Sequence, residues 1–174
     1  MAAPCPDGIS EADAHPRGGH RGRASLLPLI ILAALLALAL SGLLGGRPDP
    51  VQIAETDNAL IEVNMPSRLR NGMSFEAIIR ITAKRPVKAL TLAISSSLWR
   101  DITINNMMPA AEKEDMQDGF FRFAYGAADP GVPIEIKIDG QINPPLFAGT
   151  DGEIAVYDRD VRLVGLATTM RVYP

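Results

Sequence analysis

The chain has 174 residues, with 17 Lys and Arg against 20 Asp and Glu, a formal net charge of −3, one cysteine and two histidines. That length suits one modest domain with an appendage, and the charge supplies no positive field of the kind that draws nucleic acid. Cys5, His15 and His20 all lie in the first twenty residues, so the remainder of the chain holds no thiolate or imidazole chemistry and no disulfide.

In chain order, residues 1–23 come first. They are rich in Pro, Gly, Ala and charge, almost without large apolar side chains, and are expected to be a disordered tail. "ASLLPLIILAALLALALSGLL" comes next, Ala24 to Leu44, without a charged residue. As a helix it would reach roughly 30 Å, the thickness of a bilayer core, so the pattern predicts a transmembrane helix over residues 24–44. Pro28 falls in the first turns, where its missing N–H costs little, and Gly42, Gly45, Gly46 and Pro48 end the run. Arg17, Arg21 and Arg23 crowd the N-terminal flank while Arg47 stands beside Asp49 on the other. The positive-inside rule therefore places the tail in the cytoplasm and the bulk of the chain outside, in the periplasm or the extracellular space. A competing reading makes the run a cleaved signal peptide, with Ala39-Leu40-Ser41 as the small-residue site. Residues 45–58, opening "GGRPDP", read as a stalk.

Residues 59–174 show period-2 alternation in place of helical spacing. "LIEV" near Leu60 opens the series. In "MSFEAIIRITA" Phe75, Ala77, Ile79 and Ile81 share one face, with Glu76, Arg80 and Thr82 opposite. Leu90, Leu92 and Ile94 form the next inward set, then Phe121, Phe123 and Tyr125. Ile134, Ile136 and Ile138 alternate with Glu135, Lys137 and Asp139; Ile154 and Val156 come after them, and Val161 to Tyr173 closes the series. Asn71-Gly72, Asp118-Gly119, Pro130-Gly131, Asp139-Gly140 and Asp151-Gly152 read as turns. About seven to eight strands at this spacing predict an all-β, antiparallel sandwich, since no room is left for the helices of parallel crossovers.

The strand headed by "NGMSFEAIIRITA", the one with Leu90, Leu92 and Ile94, and "DGFFRFAYGAADPGVPIEIKIDG" resemble bacterial extracytoplasmic immunoglobulin-like domains. The layout as a whole is similar to single-pass bacterial membrane proteins that carry such a domain. The resemblance covers about Leu60 to Tyr173. It implies an Ig-like sandwich preceded by one transmembrane helix, and it implies no activity.

Candidate sites are few. Ser95, Ser96 and Ser97 with Lys88 contain the residue types of a Ser–Lys pair, which needs a buried lysine; a polar strand end is the simpler reading. Met107, Met108 and Met116 offer thioethers to a soft metal but have no Cys or His beside them, so filling gaps under a loop is simpler. Glu112–Asp115 with Asp118, and Asp151, Asp158 and Asp160, carry oxygen ligands that suit calcium; solvated turns account for them equally. Asn143-Pro144-Pro145 cannot continue a central strand. Leu146 and Phe147 therefore sit in a connection at one end of the sandwich, where they either plug the core or form a partner surface. The candidate partner-binding residues are Asn143, Pro144, Pro145, Leu146 and Phe147. Taken together these readings predict a membrane-anchored, non-catalytic module of the cell envelope that needs no cofactor and binds another envelope or membrane protein. A carbohydrate- or small-ligand-binding sandwich is the alternative.

Overall fold

A computed structural model describes residues 26–41 and 49–174. The expected tail of residues 1–23, both ends of the expected spanning segment and residues 45–48 of the expected stalk lie outside the described residues. The chain divides into two units, residues 1–44 and 45–174.

Among the described residues of the first unit a helix, α1, covers Leu27–Leu40, 14 residues with Pro28 in its first turn. Leu and Ala favour it throughout. It is apolar on every side and none of its side chains is buried. It is shorter than the expected 24–44 segment: at 1.5 Å per residue it reaches about 21 Å. Among the described residues no helix is long and apolar enough to cross a membrane.

The second unit is a sandwich of two sheets. Its strands are β1 (Gln52–Glu55), β2 (Ala59–Asn64), β3 (Arg68–Arg70), β4 (Ser74–Ala83), β5 (Leu90–Ser95), β6 (Ile102–Met108), β7 (Lys113–Gln117), β8 (Phe120–Ala124), β9 (Pro133–Ile142), β10 (Thr150–Asp158) and β11 (Val161–Tyr173). One sheet has the order β1-β2-β4-β9-β6 and the other β3-β11-β10-β5-β8-β7. Alternation buries one face of each, and in the second sheet Ala93 and Ala155 are buried on the other face as well. Ile61, Ile79, Ile81, Ile136 and Ile138 from the first sheet meet Leu90, Leu92, Ile94, Ile154 and Val156 from the second in one core. The inward sets expected from the sequence are thus the core, and Phe123 joins them while Phe121, Tyr125 and Ile134 pack at its margin.

Several expectations are corrected. There are eleven strands among the described residues rather than seven to eight. β1 pairs with β2, so part of the expected 45–58 stalk is a sheet edge. The pairing of β3 with β11 is parallel, because β3 is a short segment laid beside the end of the last strand rather than one arm of a hairpin. The stretch between Ser95 and Asp118, which shows little alternation, supplies β6 and β7; both are edge strands, and an edge strand has less of its surface to bury.

Asn71-Gly72, Asp118-Gly119 and Pro130-Gly131 do turn the chain, with positive φ at each glycine. Asp139-Gly140 and Asp151-Gly152 do not; both lie inside strands. Their glycines serve close approach instead. Gly140 stands opposite Phe75 in the ladder, and a Cβ there would fall 2.6 Å from the Phe75 ring. One at Gly152 would fall 2.1 Å from the Ser95 hydroxyl.

Candidate functional site

The connection from β9 to β10, residues 143–149, carries the residues expected to bind a partner. The structure brings them together on one pinned loop. Asn143 donates its backbone N–H to the Asp101 carbonyl (3.0 Å) and accepts the Thr103 hydroxyl at Oδ1 (3.1 Å). Its own carbonyl accepts the Leu146 N–H at 3.0 Å, closing a tight turn over the two prolines. Asn71 Nδ2 donates to the Pro144 carbonyl at 2.7 Å. At the far end Ala148 and Gly149 take positive φ, 69° and 106°, and a Cβ at Gly149 would lie 1.9 Å from the Met170 carbonyl. The loop is therefore held from the start of β6 and from the turn before β4, and it passes close against β11.

Of its apolar pair, Leu146 takes the reading of a core plug. Leu146 is 1% exposed and closes the end of the core, whereas Phe147 is 70% exposed. With Leu146, Ala148 and the chain end Arg171–Pro174, Phe147 borders a shallow hollow of about 360 Å³.

A second concavity was not legible in the sequence. Between β6 and β7, the outermost strands of their sheets, lies a cleft of about 490 Å³. Its lining includes Trp99, Phe121, Phe123 and Met107, with Asn105, Asn106 and Glu114 as its polar residues. The ladder explains why. Glu114 stands opposite Phe123, and Met116 opposite Phe121, so Glu114 shares a face with the rings although β7 is exposed along its length. On β6 a bulge between Ile104 and Asn106 takes up one residue, which sets Met107 opposite Ile138 on the core side. The Trp99 ring centroid lies 5.8 Å from that of Phe121 and 5.6 Å from that of Phe123, with interplanar angles of 33° and 58°. The Tyr125 hydroxyl donates to the Met107 sulfur at 3.0 Å, tying the end of β8 to β6. Burial, and secondarily the Glu114 carboxylate, push the Tyr125 hydroxyl up to about 12, so it keeps its proton at physiological pH. The one available signal was the inward set of Phe121, Phe123 and Tyr125; what faces it depends on pairing across the sandwich.

The other candidates are structural in their contacts. Ser95 accepts the Glu153 N–H (2.9 Å) and the Ser97 hydroxyl (3.3 Å). Lys88 is exposed, and its backbone N–H, with that of Ala89, donates to the Asp158 carboxylate at 3.1 and 3.0 Å. Asp160 pairs with Arg122 at 3.3 Å. Met108 and Met116 are exposed, 60% and 61%, whereas Met107 is half-buried and accepts the Tyr125 hydroxyl. Among the described residues no group of three or more His, Cys, Asp or Glu is gathered closely enough to hold a metal ion.

No protein-family model matches the chain, and no curated protein matches it. Solved structures do. A non-cellulosomal cohesin from the hyperthermophilic archaeon Archaeoglobus fulgidus is 12% identical, with a TM-score of 0.38 over 63% of this chain and 88% of that one. The chitin-binding domain of a hyperthermophilic chitinase from Pyrococcus furiosus is 14% identical, with a TM-score of 0.41 over 67% of this chain and 99% of that one. CaCohA2 from Clostridium acetobutylicum is 15% identical, with a TM-score of 0.39 over 63% and 88%. At these scores the likenesses carry no argument about function.

Proposed function

We propose that this chain is a single-pass membrane protein, its residues 1–23 cytoplasmic, that displays an immunoglobulin-like sandwich outside the membrane as a non-catalytic binding module for another envelope or membrane protein. The observation that carries the binding reading is Phe147, 70% exposed on a loop held by hydrogen bonds at Asn143 and Pro144 and closed by the buried Leu146. A pre-ordered loop loses little freedom on binding, and aromatic anchors dominate many interfaces. The anchor is supported by an uncharged run that extends beyond α1 on both sides and by a helix that is apolar all round with no buried side chain. The non-catalytic reading is supported by residue type: the sandwich has no His and no Cys. Replacing Phe147 by Ala in the full-length protein, with crosslinking in intact membranes, tests the surface. The expected result is loss of the crosslinked partner with the melting temperature unchanged; retention of the same partner at the same yield would overturn it. A small-ligand-binding sandwich is the second reading, favoured by a different observation, the ring-lined cleft between β6 and β7.

A further inference from the structure

The cleft between β6 and β7 restricts what can occupy it. Its volume, about 490 Å³, is that of a small-molecule site. An added peptide strand fits poorly, because both bounding edges are guarded: β7 reads Lys113-Glu114-Asp115 with every residue exposed, and β6 is bulged. A run of sugar rings stacks on a platform of coplanar aromatic side chains, but neither phenylalanine ring lies parallel to the indole. Trp99 is tilted by 33° to Phe121 and by 58° to Phe123, so the three rings form no common platform and turn their planes in different directions.

Charge selects among the remaining ligands. Among the described residues Glu114 is the only charged side chain lining the cleft. Lys113 does not neutralise it: as the neighbouring residue of the strand it projects to the opposite face, where it pairs with Asp115 at 3.2 Å. Asn105 and Asn106, on the β6 side, add neutral polar groups. A carboxylate beside aromatic rings in one cleft favours a positive charge on an apolar body. The ring faces attract the cation, the carboxylate adds to that attraction, and the apolar part displaces water from Phe121, Phe123 and Met107.

We infer that this cleft is a binding site for a small organic cation, an alkylated ammonium or guanidinium group carried on an apolar body, held between Trp99, Phe121 and Glu114. The inference rests on the small-ligand reading and is independent of the Phe147 surface. Trp99 is the single tryptophan of the chain, so its fluorescence reports on this cleft alone.

The test uses the full-length protein in detergent micelles. Trp99 emission is followed during titration with benzyltrimethylammonium, with its neutral isostere neopentylbenzene, with cellobiose and with a polylysine peptide. The expected result is saturable quenching by benzyltrimethylammonium, about tenfold weaker in Glu114→Gln, and weakened again by salt. Glu114 is exposed, so Glu114→Gln keeps the fold, and an unchanged melting temperature verifies this. Equal affinity for the cation and neopentylbenzene, or an undiminished affinity in Glu114→Gln, would overturn the charge selection while leaving a small-ligand cleft. Binding of cellobiose alone would overturn the cation class and keep the broader reading. Saturation by polylysine alone would make the occupant a protein side chain, and no response to any probe would overturn both.

Discussion

Leu146 and Phe147 are adjacent, both large and apolar, and in opposite environments. One seals the core at 1% exposure and the other stands in solvent at 70%. Leu146→Ala leaves a cavity under the β9–β10 connection and is expected to destabilise the sandwich by about 2–5 kcal/mol. Phe147→Ala is expected to change stability by no more than about 0.5 kcal/mol. Paired denaturant melts decide it, and a loss at Phe147 as large as that at Leu146 would mean that the ring is buried. The sequence raised both environments but could not assign them, because two prolines interrupt the alternation that tells inside from outside. Thr150, at the far end of the same connection, is 4% exposed and its hydroxyl has no hydrogen-bond partner among the described residues. Thr150→Val removes a stranded polar group from a strand position that Val suits, so a gain of about 1 kcal/mol is expected from the same melts.

At the scale of elements, the strands with long alternating sets were legible: β4, β5 and β10 bury the residues that alternation assigns to them, and β9 buries Ile136 and Ile138 with Ile134 at the core's margin. Glycine misled. Asp139-Gly140 has turn chemistry, yet β9 runs through it because the Phe75 ring of β4 occupies the space a side chain would take. Gly140→Ala is therefore expected to cost about 1–3 kcal/mol by forcing a buried ring aside. Phe75→Leu in the same background, which shortens the obstructing side chain, is expected to recover part of the loss. If the two changes were strictly additive in thermal melts, the contact would not be the cause. β6 and β7 were illegible for a different reason. Edge strands need only partial burial, so polar residues and a bulge are tolerated and the period-2 signal fades.

At the scale of the molecule, the proposed topology makes its own prediction. Cys5 is the chain's single cysteine. In intact cells it is expected to resist a membrane-impermeant thiol reagent and to react once the membrane is permeabilised; rapid labelling without permeabilisation would reverse the orientation. A mature protein beginning near Gly42 would replace the anchor by a cleaved signal. Residue order alone established an uncharged apolar segment, a β-sandwich C-terminal to it, and the lack of imidazole or thiol chemistry in that sandwich. Those conclusions depend on local composition and on a two-residue period, both carried within a few neighbouring residues. It took the folded chain to show that Leu146 points in and Phe147 out, that two apparent turns are close contacts, and that Glu114 shares a cleft with three aromatic rings. Each depends on which strands lie side by side and on how two sheets oppose each other. Such pairings join residues far apart in the chain, as Phe75 is from Gly140, and no local pattern records them.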